Sequence, residues 1–317
     1  MVSRIVITGA SGNIATFIIK DLLKLNYEII GIDIIDCEYN IPFTKISLND
    51  PDIIKLIKQD DIVIHLGAIS CMCKNQHEPQ NAYYNNVVGT LNLLEACRIV
   101  GVKHFIFSST VQVYENLEPP FIEDNILTPN LIYSLGKKHC EDLIRSYNEI
   151  YKLPYTILRF FNVYGQIENT KQLSIPLIPY LIKMFRNGEQ PILYSTGYQK
   201  RDYIYIKDLL HFVRLVITSE PKNTTVNVAS GNAVSVREIV SSVQKFLNCD
   251  INPIYKESTS LWDKKLNMFN GVYTFSDERM NKEINKYTLG DIKKSQELYG
   301  WIPKYNLDTG INDMFLI

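Results

Sequence analysis

Short apolar, β-branched runs alternate along the first half of the chain with longer stretches whose apolar positions recur every three or four residues. Residues 4–7 are the first such run; Gly9 and Gly12 follow at once, and Ile14, Phe17, Ile18, Leu22 and Leu25 then share a helical face. Residues 27–33 read as a second strand ending in a carboxylate, and residues 61–66 as a third, followed by the small turn Gly67-Ala68. A helix is expected over 79–100, a fourth strand over 104–110 ending in three hydroxyl residues, a long helix over 131–151 and a further strand over 154–160. Apolar strands alternating with helices imply an α/β protein with a doubly wound parallel sheet, which binds ligands at the carboxyl ends of its strands. Gly9, Asp33, Gly67 and Thr110 all fall at that edge.

Beyond residue 160 the alternation loosens. A helix is expected over 176–187, a strand over 202–206 and, opened by the capping box of Ser235 and Glu238, a helix to about Leu247. The expected division is a nucleotide-binding domain over 1–168, with 200–222 returning to it, and a smaller α+β lobe over 169–317.

Composition changes little in this picture. The chain of 317 residues, 46% hydrophobic and 21% charged, is that of an ordinary globular protein, and its net charge of −1 gives no electrostatic case for nucleic acid or an anionic membrane. No apolar run is long enough to span a bilayer and no secretory signal opens the chain, so a cytoplasmic protein is expected. Cys71 and Cys73 near His65 and His77 invite a metal reading, but the spacing matches no zinc pattern; reduced thiols and no metal are expected.

The glycine turn is the first piece of candidate chemistry. Gly9 and Gly12 let the backbone turn tightly and approach a ligand, while open N–H groups at a helix start favour a phosphate. Asp33 lies 24 positions after Gly9, where a dinucleotide fold places a carboxylate on the adenosine ribose. A carboxylate there accepts from a 2′-hydroxyl and repels a 2′-phosphate, which favours NAD over NADP; Asp36 nearby is a competing candidate. Tyr133 and Lys137 are spaced i, i+4, on one face of the expected helix, so the ammonium is expected to lower the phenol's pKa and make a base of it. Tyr203 and Lys207 share the spacing but fall on a strand and its exit, about 13 Å apart and too far to couple.

These residues, with Asn86-Val-Val-Gly89-Thr90, Ser108-Ser-Thr110, Leu158-Arg-Phe-Phe-Asn162-Val-Tyr-Gly165, Arg201-Asp202-Tyr203, Asn227-Val-Ala-Ser-Gly231 and Gly300-Trp301-Ile-Pro303, carry a resemblance over nearly the whole chain. It is to the extended short-chain dehydrogenase/reductases of the nucleotide-sugar epimerase/dehydratase family, in particular their UDP-glucose 4-epimerase-type members. The resemblance implies a Rossmann sheet with a substrate-binding lobe. It implies NAD contacts at Gly9, Gly12, Asn13, Ile14, Asp33, Leu48, Leu66, Ala68, Asn86, Ser108, Tyr133, Lys137 and Phe160. It implies that Tyr133 is the base on a sugar hydroxyl, Lys137 its tuner on the nicotinamide ribose, and Thr110 a hydrogen-bond partner of the reacting oxygen. Asn162 and Arg201 match positions that contact the diphosphate of a nucleotide sugar; a strand-end turn and a solvated loop charge would equally account for them. Helices near 81–100 and 131–151 resemble those that pair family members into homodimers.

Dehydratases of the family carry an Asp-Glu pair directly after the strand-end threonine, and decarboxylating members keep the glutamate. Here Val111 and Gln112 stand there, and neither exchanges a proton at neutral pH. What remains is NAD-dependent epimerisation at C4, with a nucleotide-sugar 4-dehydrogenase or 4-ketoreductase as the alternative and a non-catalytic NAD-sensing protein as a third. The chain departs from the family pattern at Ser47, Gly67 and Glu115, and over a longer stretch, 257–290, in which Trp262, Phe269, Tyr273 and Arg279 are candidates to cover the nucleotide base.

Overall fold

The computed structural model describes residues 4–166, 176–257 and 277–315. In chain order the first strands are β1 (Arg4–Thr8), β2 (Glu28–Asp33), β3 (Phe43–Lys45), β4 (Ile62–His65), β5 (His104–Thr110) and β6 (Tyr155–Phe160). They are followed by β7 (Asn162–Tyr164), β8 (Ile192–Leu193), β9 (Lys200–Tyr205), β10 (Thr224–Val228), β11 (Ala233–Ser235) and β12 (Ile254–Tyr255). The helices are α1 (Asn13–Lys24), α2 (Met72–His77), α3 (Pro79–Tyr83), α4 (Gly89–Val100), α5 (Ile132–Tyr151), α6 (Leu177–Arg186), α7 (Ile206–Thr218) and α8 (Val236–Leu247), then Asp277–Ile284, Lys293–Tyr299 and Leu307–Phe315.

Seven strands form one parallel sheet in the order β3-β2-β1-β4-β5-β6-β10. It is covered on both faces, as β1 shows. Ile5 and Ile7 join a core with α1, α7 and Trp301, while Val6, pointing the other way, joins one with α4 and α5. The strand order reverses between β1 and β4, where such sheets open a crevice at their carboxyl ends. The Asp277–Ile284 helix and its exit lie over that edge: Leu289 accepts from Phe121 N–H, and Thr288 Oγ1 accepts from Asp202 N–H. A smaller sheet, β11-β9-β7, stands beside it.

Most expected elements are present within a residue or two. Ser235 and Glu238 cap α8 reciprocally, at 3.1 and 2.7 Å. The expected helix over 79–100 is instead broken by a π-helical turn, Tyr84–Val88, between α3 and α4. The reason is lateral: Asn86 turns its amide sideways to bond the backbone of Ile69 and the side chain of Asn75, which apolar periodicity cannot reveal. Tyr203 lies on β9, and Lys207 leaves in α7 to pair with Asp313 at 2.6 Å, so that tyrosine and lysine stay apart.

Candidate active site

The crevice is built from two backbone turns in close contact. Gly9 has φ +70°, and a Cβ on it would lie 2.6 Å from the Cα and N of Gly67. Only glycine fits there. Gly12 caps α1 without a side-chain cap hydrogen bond, and the first turn of the helix holds Asn13 and Ile14, a helix start of the kind that receives a phosphate. Asp33 ends β2 beside this loop and accepts from Ser11 N–H at 2.9 Å and from Ile34 N–H at 2.7 Å. These features fit a dinucleotide: a cradle a Cβ would fill, an open helix start and a carboxylate at the next strand end. Replacing Asp33 by asparagine should weaken NAD by about 10- to 100-fold and narrow the gap to NADP, because a charged hydrogen bond and a charge repulsion both go. Titration with both nucleotides checks this; an unchanged ratio would show that Asp33 does not read the ribose.

Behind the glycines a line of hydrogen bonds fixes the turn. Thr90 Oγ1 donates to Asn86 O at 2.6 Å, so it accepts from His65 Nε2 at 2.9 Å, leaving His65 Nδ1 to accept from Thr8 Oγ1 at 2.6 Å. Burial and the nearby Lys137 hold the imidazole at about 3, neutral. His65 is therefore a structural link rather than a metal ligand, and among the described residues no group of three ligands could hold a metal. Ser108 Oγ donates to His65 O at 3.0 Å, Leu66 packs against the core, Ala68 is half-buried, and Leu48 lies under Gly89, where a Cβ would meet it at 3.1 Å.

The candidate catalytic residues lie at the end of β5. Thr110 pairs in register with Phe160 of β6, and its hydroxyl stands near the phenol of half-buried Tyr133 in the first turn of α5. One turn on, Lys137 is buried, donates to Ser108 O at 2.7 Å and lies over the Phe107 ring. The expected lowering of the Tyr133 pKa is not what this structure has. Burial pushes the phenol up to about 12 against the opposing influence of the nearby Thr110 hydroxyl, and burial lowers Lys137 to about 8. The i, i+4 spacing puts the pair on one face, but Lys137 is turned to the β5 backbone, a tertiary choice that spacing does not contain.

On the other side, Asn162 Nδ2 donates to Asp202 O at 2.9 Å and Arg201 Nη2 to Glu283 O at 2.8 Å, so β7 and β9 bring both residues to one wall. The roles of three residues here escaped the sequence reading. Glu115 is buried, accepts from Leu131 N–H at 3.0 Å and Ser134 Oγ at 2.6 Å, and so anchors the start of the Tyr133 helix; its departure from the family glycine was the available signal. Arg279 does not lie free to cover a base: it pairs with Glu115 and Glu283, at 3.3 and 2.9 Å. Lys286 donates to Gln112 Oε1 at 3.0 Å, and nothing local marked it. Trp262, Phe269 and Tyr273 lie outside the described residues.

A switch-point crevice with this threonine, tyrosine and lysine defines a dinucleotide-dependent enzyme of the short-chain dehydrogenase/reductase type. A profile described as the NAD-dependent epimerase/dehydratase family matches residues 5–229, and the chain belongs to that family. A putative UDP-glucose 4-epimerase of Methanocaldococcus jannaschii is 28% identical over 97% of this chain and 95% of its own. Among solved structures, a UDP-N-acetylglucosamine 4-epimerase from Methanobrevibacter ruminantium is 28% identical with a TM-score of 0.83, covering 100% of this chain and 99% of its own. The Thermotoga maritima UDP-glucose 4-epimerase reaches 0.84 at 25% identity, covering 99% and 98%.

Proposed function

We propose that the chain is an NAD-dependent UDP-sugar epimerase acting at C4. The observation that carries this is Thr110 close to Tyr133 beside buried Lys137, with Val111 and Gln112, rather than an acid pair, at the exit of β5. When bound, NAD supplies a hydride acceptor for C4 and a positive ring that favours the tyrosinate. Tyr133 would take the proton of the C4 hydroxyl as the sugar is oxidised to the 4-ketone and return it to that oxygen when the ketone is reduced with inversion at C4. Thr110 holds the reacting oxygen against the phenol. Lys137 keeps a buried positive charge below the site, and Asn162 and Arg201 offer an amide and a guanidinium to the diphosphate. Residue 112 is a glutamine, so no side chain at that position can carry the proton transfers that loss of water needs. In this reading 1–168, with 200–222, holds the cofactor and 169–317 mainly the nucleotide sugar, and a cytoplasmic homodimer forms across α4 and α5.

Incubating the protein with UDP-glucose or UDP-glucuronate and NAD is expected to yield the C4 epimer of equal mass without accumulating NADH. Net NADH formation would decide for a 4-dehydrogenase instead, and no conversion of any UDP-sugar, with NAD bound, for a non-catalytic NAD-binding protein.

A further inference from the structure

We propose that Lys286 selects a sugar carrying a carboxylate on C5, so that the preferred substrate is a nucleotide-linked uronate rather than a neutral hexose. The inference rests on the C4 epimerase reading above. Lys286 is only 9% exposed, and its ammonium donates to the Gln112 side chain at 3.0 Å. The carboxylates nearest in charge, Glu115 and Glu283, are both held by Arg279, and among the described residues none ion-pairs with Lys286. With Arg201 alongside, three cations face two carboxylates. Burial lowers Lys286 to about 8, which still leaves it charged at neutral pH. A buried ammonium with a neutral amide as partner is a costly arrangement unless an anion completes it.

Position says which anion. Gln112 N–H donates to Thr110 Oγ1 at 3.2 Å, and the Thr110 hydroxyl stands near the Tyr133 phenol, so Lys286, on the Gln112 side chain, stands one residue beyond the group that would hold the C4 oxygen. The ring neighbours of C4 are C3 and C5, and a uronate bears its carboxylate on C5. The diphosphate hangs from the anomeric carbon, farther round the ring, on the side left to Arg201.

The test is calorimetric binding of UDP-glucuronate, UDP-glucose and UDP to the NAD-loaded protein, for wild type, Lys286→Met and Lys286→Arg. It reads affinity and does not require turnover. Wild type is expected to prefer the uronate over the neutral sugar by about tenfold or more, Lys286→Met to lose that preference, and Lys286→Arg to keep most of it. A wild type without the preference, or a Lys286→Met protein that retains it, would overturn the proposal. So would a parallel loss of UDP affinity in Lys286→Met, which would place the ammonium on the diphosphate. Should the epimerase reading itself fail, the turnover assay gives net NADH or no conversion, while these binding ratios still report on Lys286.

Discussion

Replacing Tyr133 by phenylalanine is expected to lower turnover by about 10²–10⁴-fold or more, while the protein folds and binds NAD normally. The substitution removes one hydroxyl and keeps the ring. That hydroxyl is the group beside Thr110 at the end of β5, and a positioned general base contributes about 10²–10⁴-fold. The fold should tolerate the change, since the start of α5 is held elsewhere, by Glu115 on Leu131 N–H and Ser134 Oγ. Steady-state kinetics together with NAD titration checks both halves. Retained turnover would remove Tyr133 from the mechanism. Lost NAD binding would make it a structural residue.

Replacing Arg159 by methionine is expected to cost about 3 kcal/mol of stability, because it leaves the buried Glu141 carboxylate with only Ser109 and the half-exposed Arg145, 3.3 Å away. Arg159 and Glu141 are 2% and 0% exposed, joined by two hydrogen bonds of 3.0 and 2.7 Å. Ser109 adds a third to Glu141 at 2.6 Å, and Arg159 also holds Tyr114 and the carbonyl of Glu123. Burial pushes the Glu141 carboxyl up, but bonds and charge from Arg159, with Ser109, outweigh it and leave the group below its ordinary value. A folded-state pKa below the unfolded one means that this stabilisation is present above the carboxylate range and fades as pH falls through it. Equilibrium urea unfolding of wild type and Arg159→Met at neutral pH measures the effect. The double replacement Glu141→Met, Arg159→Met should recover part of the loss, since two apolar side chains are cheaper to bury than one carboxylate held only by Ser109 and the half-exposed Arg145. A single variant within 1 kcal/mol of wild type would show that the pair carries little.

The strands and helices around the cofactor crevice were legible because each is local. The continuous apolar run of β1, the glycines that only a left-handed turn or a close backbone contact explains, and the capping box of α8 are written in residues within a few positions of one another. The π turn at Asn86 was not legible, because its cause is a hydrogen bond across to Ile69. Nor was the role of Glu115, whose partners stand at 130, 131, 134 and 279. The charged wall of Arg201, Arg279 and Lys286 comes from segments about eighty residues apart, which no spacing rule joins.

By itself, then, the sequence determined the parallel sheet, the glycine crevice with Asp33 beside it, and the residue types at the end of β5, since periodicity and turn chemistry act over short distances. Only the tertiary structure decided the electrostatics. Whether a tyrosine is a ready base or a phenol raised to about 12, and whether a lysine is a solvated charge or a buried one beside Gln112, depends on how much water the packed fold excludes. Desolvation is a property of the assembled neighbours, so these charges acquire their chemistry only when the chain has closed around them.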